Sequence, residues 1–350
     1  MSIVADAREQ GQLLFEGNHL IQLGGRRVRV TEVFWAYWRL AAERQAMFFR
    51  RVDGEQAPWT DDAVLARHRF TNAYRASDRV SQYLLHRVIY DQERDALDTI
   101  LRVLLFKIFN RIDTWEHLLD RVGQPTAASF SVEGYASALD ELLSEGRRVY
   151  SAAYIMPNPR LGADRKHRNH LALLEMLLHT GVLAELEQAR SMRSLYERLC
   201  GVPSFGPFLA FQYVIDLNYS PHFDFDEMEF VVAGPGAVRG IRKCFEDTGG
   251  LDAAGVIAAV ADSAQDFFEM TPVPTPFRDL WGRPLQLIDC QNLFCEVDKY
   301  ARVAHPEHSL GRQERIKQVY RPNRRPLALG YPPKWGLPLS ASAPEFFGAT

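Results

Sequence analysis

The sequence predicts a mainly α-helical fold, and three observations carry that prediction. From Thr31 onward apolar residues recur at helical spacing, as in Phe34, Trp35, Tyr37, Trp38, Leu40 and Ala41. Residues 101–109 are dense enough in apolar side chains to form a central core helix. Two segments with apolar faces flank a glycine-bounded turn at residues 201–206.

Bulk composition bounds the class. The chain has 350 residues, 47% hydrophobic and 24% charged, enough for one large core or two small ones. A formal net charge of −3 argues against a non-specific nucleic-acid coat protein but leaves room for a local basic face. Cys200, Cys244, Cys290 and Cys295 form no CxxC pair and fit neither a zinc ribbon nor a disulfide framework. Reduced cysteines in a cytoplasmic protein are therefore expected. The first ten residues lack a basic and an apolar stretch, and no apolar run approaches 18 residues, so neither a signal peptide nor a membrane span is expected. No cofactor, metal or protein partner is called for.

Taken in order, residues 1–30 form a lead-in with a possible hairpin around Gly24-Gly25. A helix begins at Thr31, and a polar break at 53–56 precedes a second helix that Thr60 is predicted to cap. Further helices are expected near 61–69, 77–91, 93–109, 132–147, 169–188, from Ser191, over 237–245 and over 254–270. Residues 149–156 read as a short strand or extended loop, stopped by Pro157 and Pro159. Seven of the 19 prolines lie after residue 302. Seven basic residues, Arg321 and Arg324 among them, lie between 311 and 334 against one acidic residue. That is a basic arm, either solvated or in contact with phosphate. The expected organisation is thus 1–30, a helical domain over 31–302 containing the hairpin unit 191–217, and an arm over 303–350.

The hairpin is the most informative stretch. Gly201 is expected as a left-handed C-cap, Gly206 as the point where the chain reopens, and Pro207 as a first helical residue. Backbone N–H groups around Gly201, Val202 and Gly206 would be free to grip a DNA phosphate without reading sequence. This stretch resembles the helix-hairpin-helix of the base-excision DNA glycosylases. The resemblance implies a catalytic Asp about twenty residues after the second glycine, which here is Asp226, with Asp224 as the near alternative. A carboxylate there would stabilise oxocarbenium-like charge or activate water. The same acidic run, with Glu227 and Glu229, also fits a solvated turn or a Mg²⁺ site. Pro207 and Phe208 stand where bifunctional lyases carry a Lys, and the four-cysteine cluster of some relatives is missing, which narrows the chemistry to the monofunctional kind.

Other strings point further. Residues 58–61 (PWTD), 70–79 (FTNAYRASDR), 109–115 (FNRIDTW), 232–237 (VAGPGA) and 295–300 (CEVDKY) occur in order. Together they resemble the helical family of hydroxymethyluracil DNA kinase and α-glutamyl/putrescinyl-thymine pyrophosphorylase, over residues 31–302. That resemblance implies chemistry on hypermodified bases in phage-type duplex DNA, reached by base flipping. It implies either excision of a base such as glucosylated hydroxymethylcytosine, in anti-phage defence, or attachment of an amine or amino acid to pyrophosphorylated hydroxymethyluracil. No Walker loop and no protein-kinase motif set is present.

The expected base pocket comprises Asn72, Tyr74, Arg75, Asp78, Gln291 and Lys299. Arg75 and Asp78 would share a face if 71–79 were helical. Gly234, Gly236 and Arg239 at a helix start, and Lys166 and Arg168 beside His167 and His170, are the further DNA-contact candidates. The leading expectation is a monofunctional glycosylase using Asp226. The alternative is the amine-attaching transferase, and a third class is a protein that only binds modified DNA.

Overall fold

Gly24 and Gly25 reverse the chain with positive φ angles of 56° and 72°, a backbone region open to glycine at no steric cost. They join β1 (Leu20–Leu23) to β2 (Arg26–Val30) as an antiparallel hairpin, seen here in a computed structural model that describes residues 19–311, 315–321 and 328–339. Ile21, Leu23, Val28 and Val30 are buried while the residues between them are exposed, the alternation of a half-buried sheet.

The helices follow in chain order. α1 (Glu32–Val52) starts at Thr31, whose hydroxyl accepts from the Val33 N–H. α2 (Ala63–Arg67) is followed by a 3-10 turn at Arg75–Ser77. α3 (Arg79–Tyr83) runs into a π-type turn at Leu84–Ile89. Then come α4 (Ala96–Phe109), α5 (Ile112–Val122), α6 (Val132–Ser144), α7 (Lys166–His179), α8 (Val182–Glu187), α9 (Met192–Cys200) and α10 (Pro207–Asn218). α11 (Pro235–Cys244), β3 (Phe245–Asp247), α12 (Ala253–Asp262), α13 (Ala264–Met270) and α14 (Leu287–Ala304) follow, with 3-10 turns at Pro306–His308 and Pro333–Trp335 beyond them. The fold is mainly α, as the periodicity predicts.

The chain divides into two compact units, residues 1–78 with 230–327 and residues 79–229 with 328–350. In the first, β3 adds to β2 to make a three-stranded sheet. Trp38 of α1 stacks on Phe267 at 5.4 Å and meets Phe34 and Phe268 edge-on, so one aromatic cluster fixes α1 on α13. The Thr31 N–H donates to the Cys244 carbonyl at 2.9 Å and its hydroxyl to that of Lys243 at 2.5 Å, tying the start of α1 to the end of α11. α11 lies directly on α14. A Cβ placed on Gly240 would stand 2.0 Å from the Phe294 carbonyl oxygen, so only glycine allows that approach.

In the second unit α4 is the central helix, buried from Thr99 through Phe109, as residues 101–109 predict. It also carries two buried cations. Arg102 donates from Nε to the Val88 carbonyl at 2.9 Å and from Nη2 to that of Arg87 at 3.2 Å. It thereby supplies donors to the π-type turn, whose wide bonding pattern departs from the regular helix ladder. Burial drives the Arg102 pKa down to about 10, against the pull of Asp91. Lys107 Nζ lies 3.0 Å from Asp216 Oδ2 and joins α4 to α10 through a buried ion pair.

Several expected elements are corrected. Thr60 does not cap α2: its hydroxyl accepts from the Asp62 N–H, and Asp62 is the cap, accepting from Val64 and Leu65 at 2.8 and 2.9 Å. The helix expected over 169–188 breaks at Gly181, which has a φ of 78°. The one expected over 254–270 breaks at Ser263 into α12 and α13. Residues 149–156 take the extended-loop alternative and not the strand, and 71–78 is a loop with one 3-10 turn rather than a helix, α3 starting at Arg79. β3 was not foreseen, because three residues are too short to show a period.

Candidate nucleic-acid interface and base-chemistry site

The hairpin unit is built as the sequence predicts, with two changes. α9 opens on a Ser191/Ser194 capping box and buries Met192, Leu195 and Leu199. Gly201 is not left-handed: its φ and ψ are −74° and −12°. Its N–H bonds the Glu197 and Arg198 carbonyls and that of Val202 bonds Leu199, so the last turn tightens and these two N–H groups, expected to be free for phosphate, are taken up within the helix end. The left-handed residue is Ser204, with a φ of 71°. Val202 and Phe205 are buried and pin the loop, while Gly201 and Gly206 stay exposed. Gly206 is the N-cap of α10 and Pro207 its first residue. No side chain caps α10, so the positive end of that helix faces outward from an exposed glycine.

The acidic turn follows α10 in the same unit. Asn218 accepts from the Phe225 N–H at 2.9 Å and donates to the Phe225 carbonyl at 3.1 Å. Lys334, from the C-terminal segment, donates to the carbonyls of Asn218, Ser220 and Phe223. Asp224 and Asp226 flank the pinned Phe225, and both are exposed. Asp226 Oδ1 accepts from the Met228 N–H at 2.8 Å. Glu227 is buried, and Glu229 accepts from the Met192 and Arg193 N–H groups at the start of α9. The acidic run is thus a structured turn on which Asp224 and Asp226 are exposed, Asp224 Oδ1 lying 3.9 Å from Lys334 Nζ.

A cleft of about 760 Å³ in the second unit is lined by Arg147, Arg148, Arg165 and Lys166, with Lys166 Nζ 4.7 Å from the Tyr150 ring. Lys166 faces this cleft. Arg168 instead bonds Glu133 and Asp140, each at 2.9 Å, which neutralises it internally. His167 pairs with Asp140 at 3.0 Å. His170 lies between the Tyr150 hydroxyl and the Pro157 carbonyl, and burial lowers its pKa to about 4.

In the first unit the loop 71–78 gathers most of the expected base-pocket residues. Asp78 Oδ1 accepts from the Asn72 N–H at 2.8 Å, and the Asn72 side chain donates to the Ser77 carbonyl at 2.7 Å. Arg44 of α1 donates to Asn72 Oδ1 and to the Thr71 carbonyl, both at 2.8 Å. Glu296 of α14 accepts from the Thr71 N–H at 3.0 Å and holds Lys299 at 2.6 Å, which in turn sits over the Phe70 ring. Asp289 accepts from the Arg75 and Gln286 N–H groups at 2.7 and 3.0 Å. Tyr74 is buried, and its hydroxyl donates to the Arg283 carbonyl at 2.6 Å. Arg75 and Gln291 are buried as well, the latter donating to Cys295 Sγ. Asn72, Asp78 and Lys299 are the part-exposed members.

Two carboxyls here have raised proton affinity. Burial pushes Asp78 up to about 6, opposed by the Asn72 N–H and helped by Glu296. Burial does the same for Asp289, to about 6, against the bonds from Arg75 and Gln286. Asp289 has both oxygens engaged by backbone donors, whereas Asp78 is engaged through Oδ1. A carboxyl of that affinity exchanges a proton readily near neutral pH.

The remaining candidates are placed as follows. Gly234 caps α11, and a Cβ on Gly236 would meet Cys295 Sγ at 2.9 Å, so helix packing accounts for Gly236. Arg239 bonds Asp298 at 3.1 Å. The C-terminal segment pairs with residues 67–69, the backbone N–H groups of Arg69 and Tyr320 donating to the carbonyls of Gln318 and Arg67, and Arg321 is exposed. Arg324 lies outside the described residues. Sequence reading missed Arg44, Lys107, Asp216 and Asp289, and it placed Lys334 in the basic arm, whereas its ammonium turns inward to three carbonyls. Charges inside the apolar runs, two in 101–109 and one in 207–217, were the available signal for Lys107 and Asp216.

Fold and site together define a mainly helical protein with an exposed glycine-bounded hairpin and a separate loop on which burial raises the proton affinity of the Asp78 carboxyl. The family described as "5-hmdU DNA kinase, helical domain" matches residues 31–310, and the chain belongs to that family. It is 26% identical over 286 residues to the 5-hmdU DNA kinase of Bacillus phage SP10, covering 75% of this chain and 44% of that relative. The chain therefore spans under half the length of this curated relative. No solved structure matches. Among the described residues no helix is long and apolar enough to cross a membrane.

Proposed function

We propose that this protein is an enzyme that modifies a 5-hydroxymethylated pyrimidine in duplex DNA by group transfer. The hairpin holds the backbone, the base leaves the stack, and an amine displaces an activated oxygen on the 5-methylene carbon. In that step a C–N bond forms, the C–O bond to pyrophosphate breaks, and Asp78 takes the proton the amine sheds. The observation that carries the reading is Asp78 itself: part-exposed, with a pKa near 6, on a loop locked by Arg44, Asn72 and Glu296. The substrate class comes from the relative's name, which specifies 5-hmdU in DNA. The relative's kinase activity is not carried over, because the sequence holds neither a Walker loop nor the protein-kinase motifs.

A second reading is a monofunctional glycosylase acting through Asp226. It is favoured by one observation: Asp226 stands twenty residues after Gly206, exposed on a turn pinned by Asn218 and Lys334. Paired substitutions separate the two. Group transfer requires that Asp78→Asn abolish product while Asp226→Asn leaves it intact. The opposite pattern supports excision.

A further inference from the structure

Asp298 of α14 is 2% exposed and faces three cations. Its Oδ1 lies 3.1 Å from Lys243 Nζ, and its Oδ2 takes Arg239 Nε at 3.1 Å and Arg302 Nη2 at 2.6 Å. Lys243 is itself buried and also donates to the Asp298 carbonyl at 3.0 Å. Burial pushes the Asp298 carboxyl up, but the Arg302 hydrogen bond and the Lys243 charge outweigh it and hold it below the usual range. It is therefore ionised near neutral pH, and three positive groups share one negative one. Two positive charges are left over in a confined space.

That space is a cavity of about 280 Å³ lined by Arg239, Lys243, Asp298, Arg302 and residues 309–311. It falls just below the roughly 300 Å³ at which pockets for drug-sized ligands begin, so it admits a small anion rather than a nucleoside. The two arginines use Nε and Nη2, respectively, for Asp298. The other guanidinium nitrogens of both have no protein partner among the described residues. Guanidinium groups fixed by a buried carboxylate are already ordered, so little side-chain entropy is lost when a second anion binds. Their planar forks match a tetrahedral oxyanion bidentately.

We propose that this cavity binds a phosphoryl group, with Arg239 and Arg302 contacting its oxygens and Lys243 supplying fixed positive charge beneath. The inference does not depend on the reaction proposed above. The phosphoryl group could belong to a DNA strand or to a small phosphorylated compound, and the test distinguishes these sources.

The test is a ³¹P NMR titration of inorganic phosphate into the full chain at constant ionic strength. One saturable site is expected, weakened at least tenfold by Arg239→Gln and by Arg302→Gln. Arg242→Gln, which removes an exposed neighbouring cation outside the cavity, should leave it unchanged. Displacement of phosphate by a short duplex identifies DNA as the source. Retention of phosphate under duplex identifies a small compound. No saturable site, or equal weakening by all three substitutions, overturns the proposal. Unchanged helical circular dichroism in each variant excludes unfolding as the cause of a loss.

Discussion

The Asn72 N–H donates to Asp78 Oδ1 at 2.8 Å, and this bond closes the loop that carries both residues. Asp78→Asn preserves the acceptor, because the amide oxygen can take the same bond. It removes the ionisable group. Loss of a general base typically costs 10²–10⁴-fold in rate, so turnover on modified DNA should fall by at least about a hundredfold. In the intact protein, kcat/KM should fall about tenfold per pH unit below pH 6, the pKa of Asp78. A profile flat down to pH 5 would remove Asp78 from the reaction.

The same pair of carboxyls sets a stability profile. Asp78 and Asp289 titrate near 6 in the fold, against 3.8 for the free side chain. The folded state thus binds more protons than the unfolded state between those values. This contribution to stability is fully present below pH 3.8 and is lost as pH rises through 6. Asp78→Asn should shrink the fall in thermal midpoint measured between pH 4.5 and pH 7. An unchanged fall would mean that the Asp78 carboxyl does not carry the raised proton affinity described.

Gly206 offers a test in which stability and binding move in opposite directions. Its φ is −76°, and a Cβ there meets nothing within 4 Å. Asp is a better N-cap than Gly, and its charge suits the helix dipole. Gly206→Asp should therefore leave stability unchanged or raise it by a few tenths of a kcal/mol. It also places a carboxylate where a DNA phosphate would sit, so duplex affinity should drop at least tenfold, while Gly206→Ser retains it. Equal affinity for both variants in a filter-binding or anisotropy assay would exclude the hairpin from the DNA interface.

Gly240 tests the packing of α11 on α14. Ala at this position puts a methyl group 2.0 Å from the Phe294 carbonyl oxygen, and backbone cannot swing aside as a side chain can. The helices must separate, at a cost on the order of 1–3 kcal/mol or more. At Gly236 the obstacle is the Cys295 sulfur at 2.9 Å, a side-chain atom, so Gly236→Ala should cost less. Chemical denaturation of both variants measures the order.

Much of the fold was legible because long helices carry period and caps together. Thr31, Ser191 and Pro207 mark starts that the structure keeps. The hairpin at Gly24-Gly25 was legible for the same reason, since turn residues and alternation agree. The candidate site was less so. Asn72 and Asp78 stood out as an unusual string, but the groups that hold their loop come from other helices: Arg44 bonds Asn72, Glu296 the Thr71 N–H and Asp289 the Arg75 N–H. No local pattern encodes such pairing. Gly201 misled because a C-terminal glycine usually signals a left-handed cap, whereas here the reversal falls to Ser204. The basic arm misled in part, because Lys334 turns inward to three carbonyls instead of outward to solvent.

The central claim is group transfer to a modified base. It is tested most directly by mass analysis of nucleosides after the protein acts on duplex DNA carrying pyrophosphorylated hydroxymethyluracil with an added diamine. The account predicts a nucleoside heavier than hydroxymethyl-deoxyuridine by the amine less water, with the sugar–base bond intact and pyrophosphate released. Free modified base together with alkali-labile abasic sites, formed with or without the amine, would contradict it.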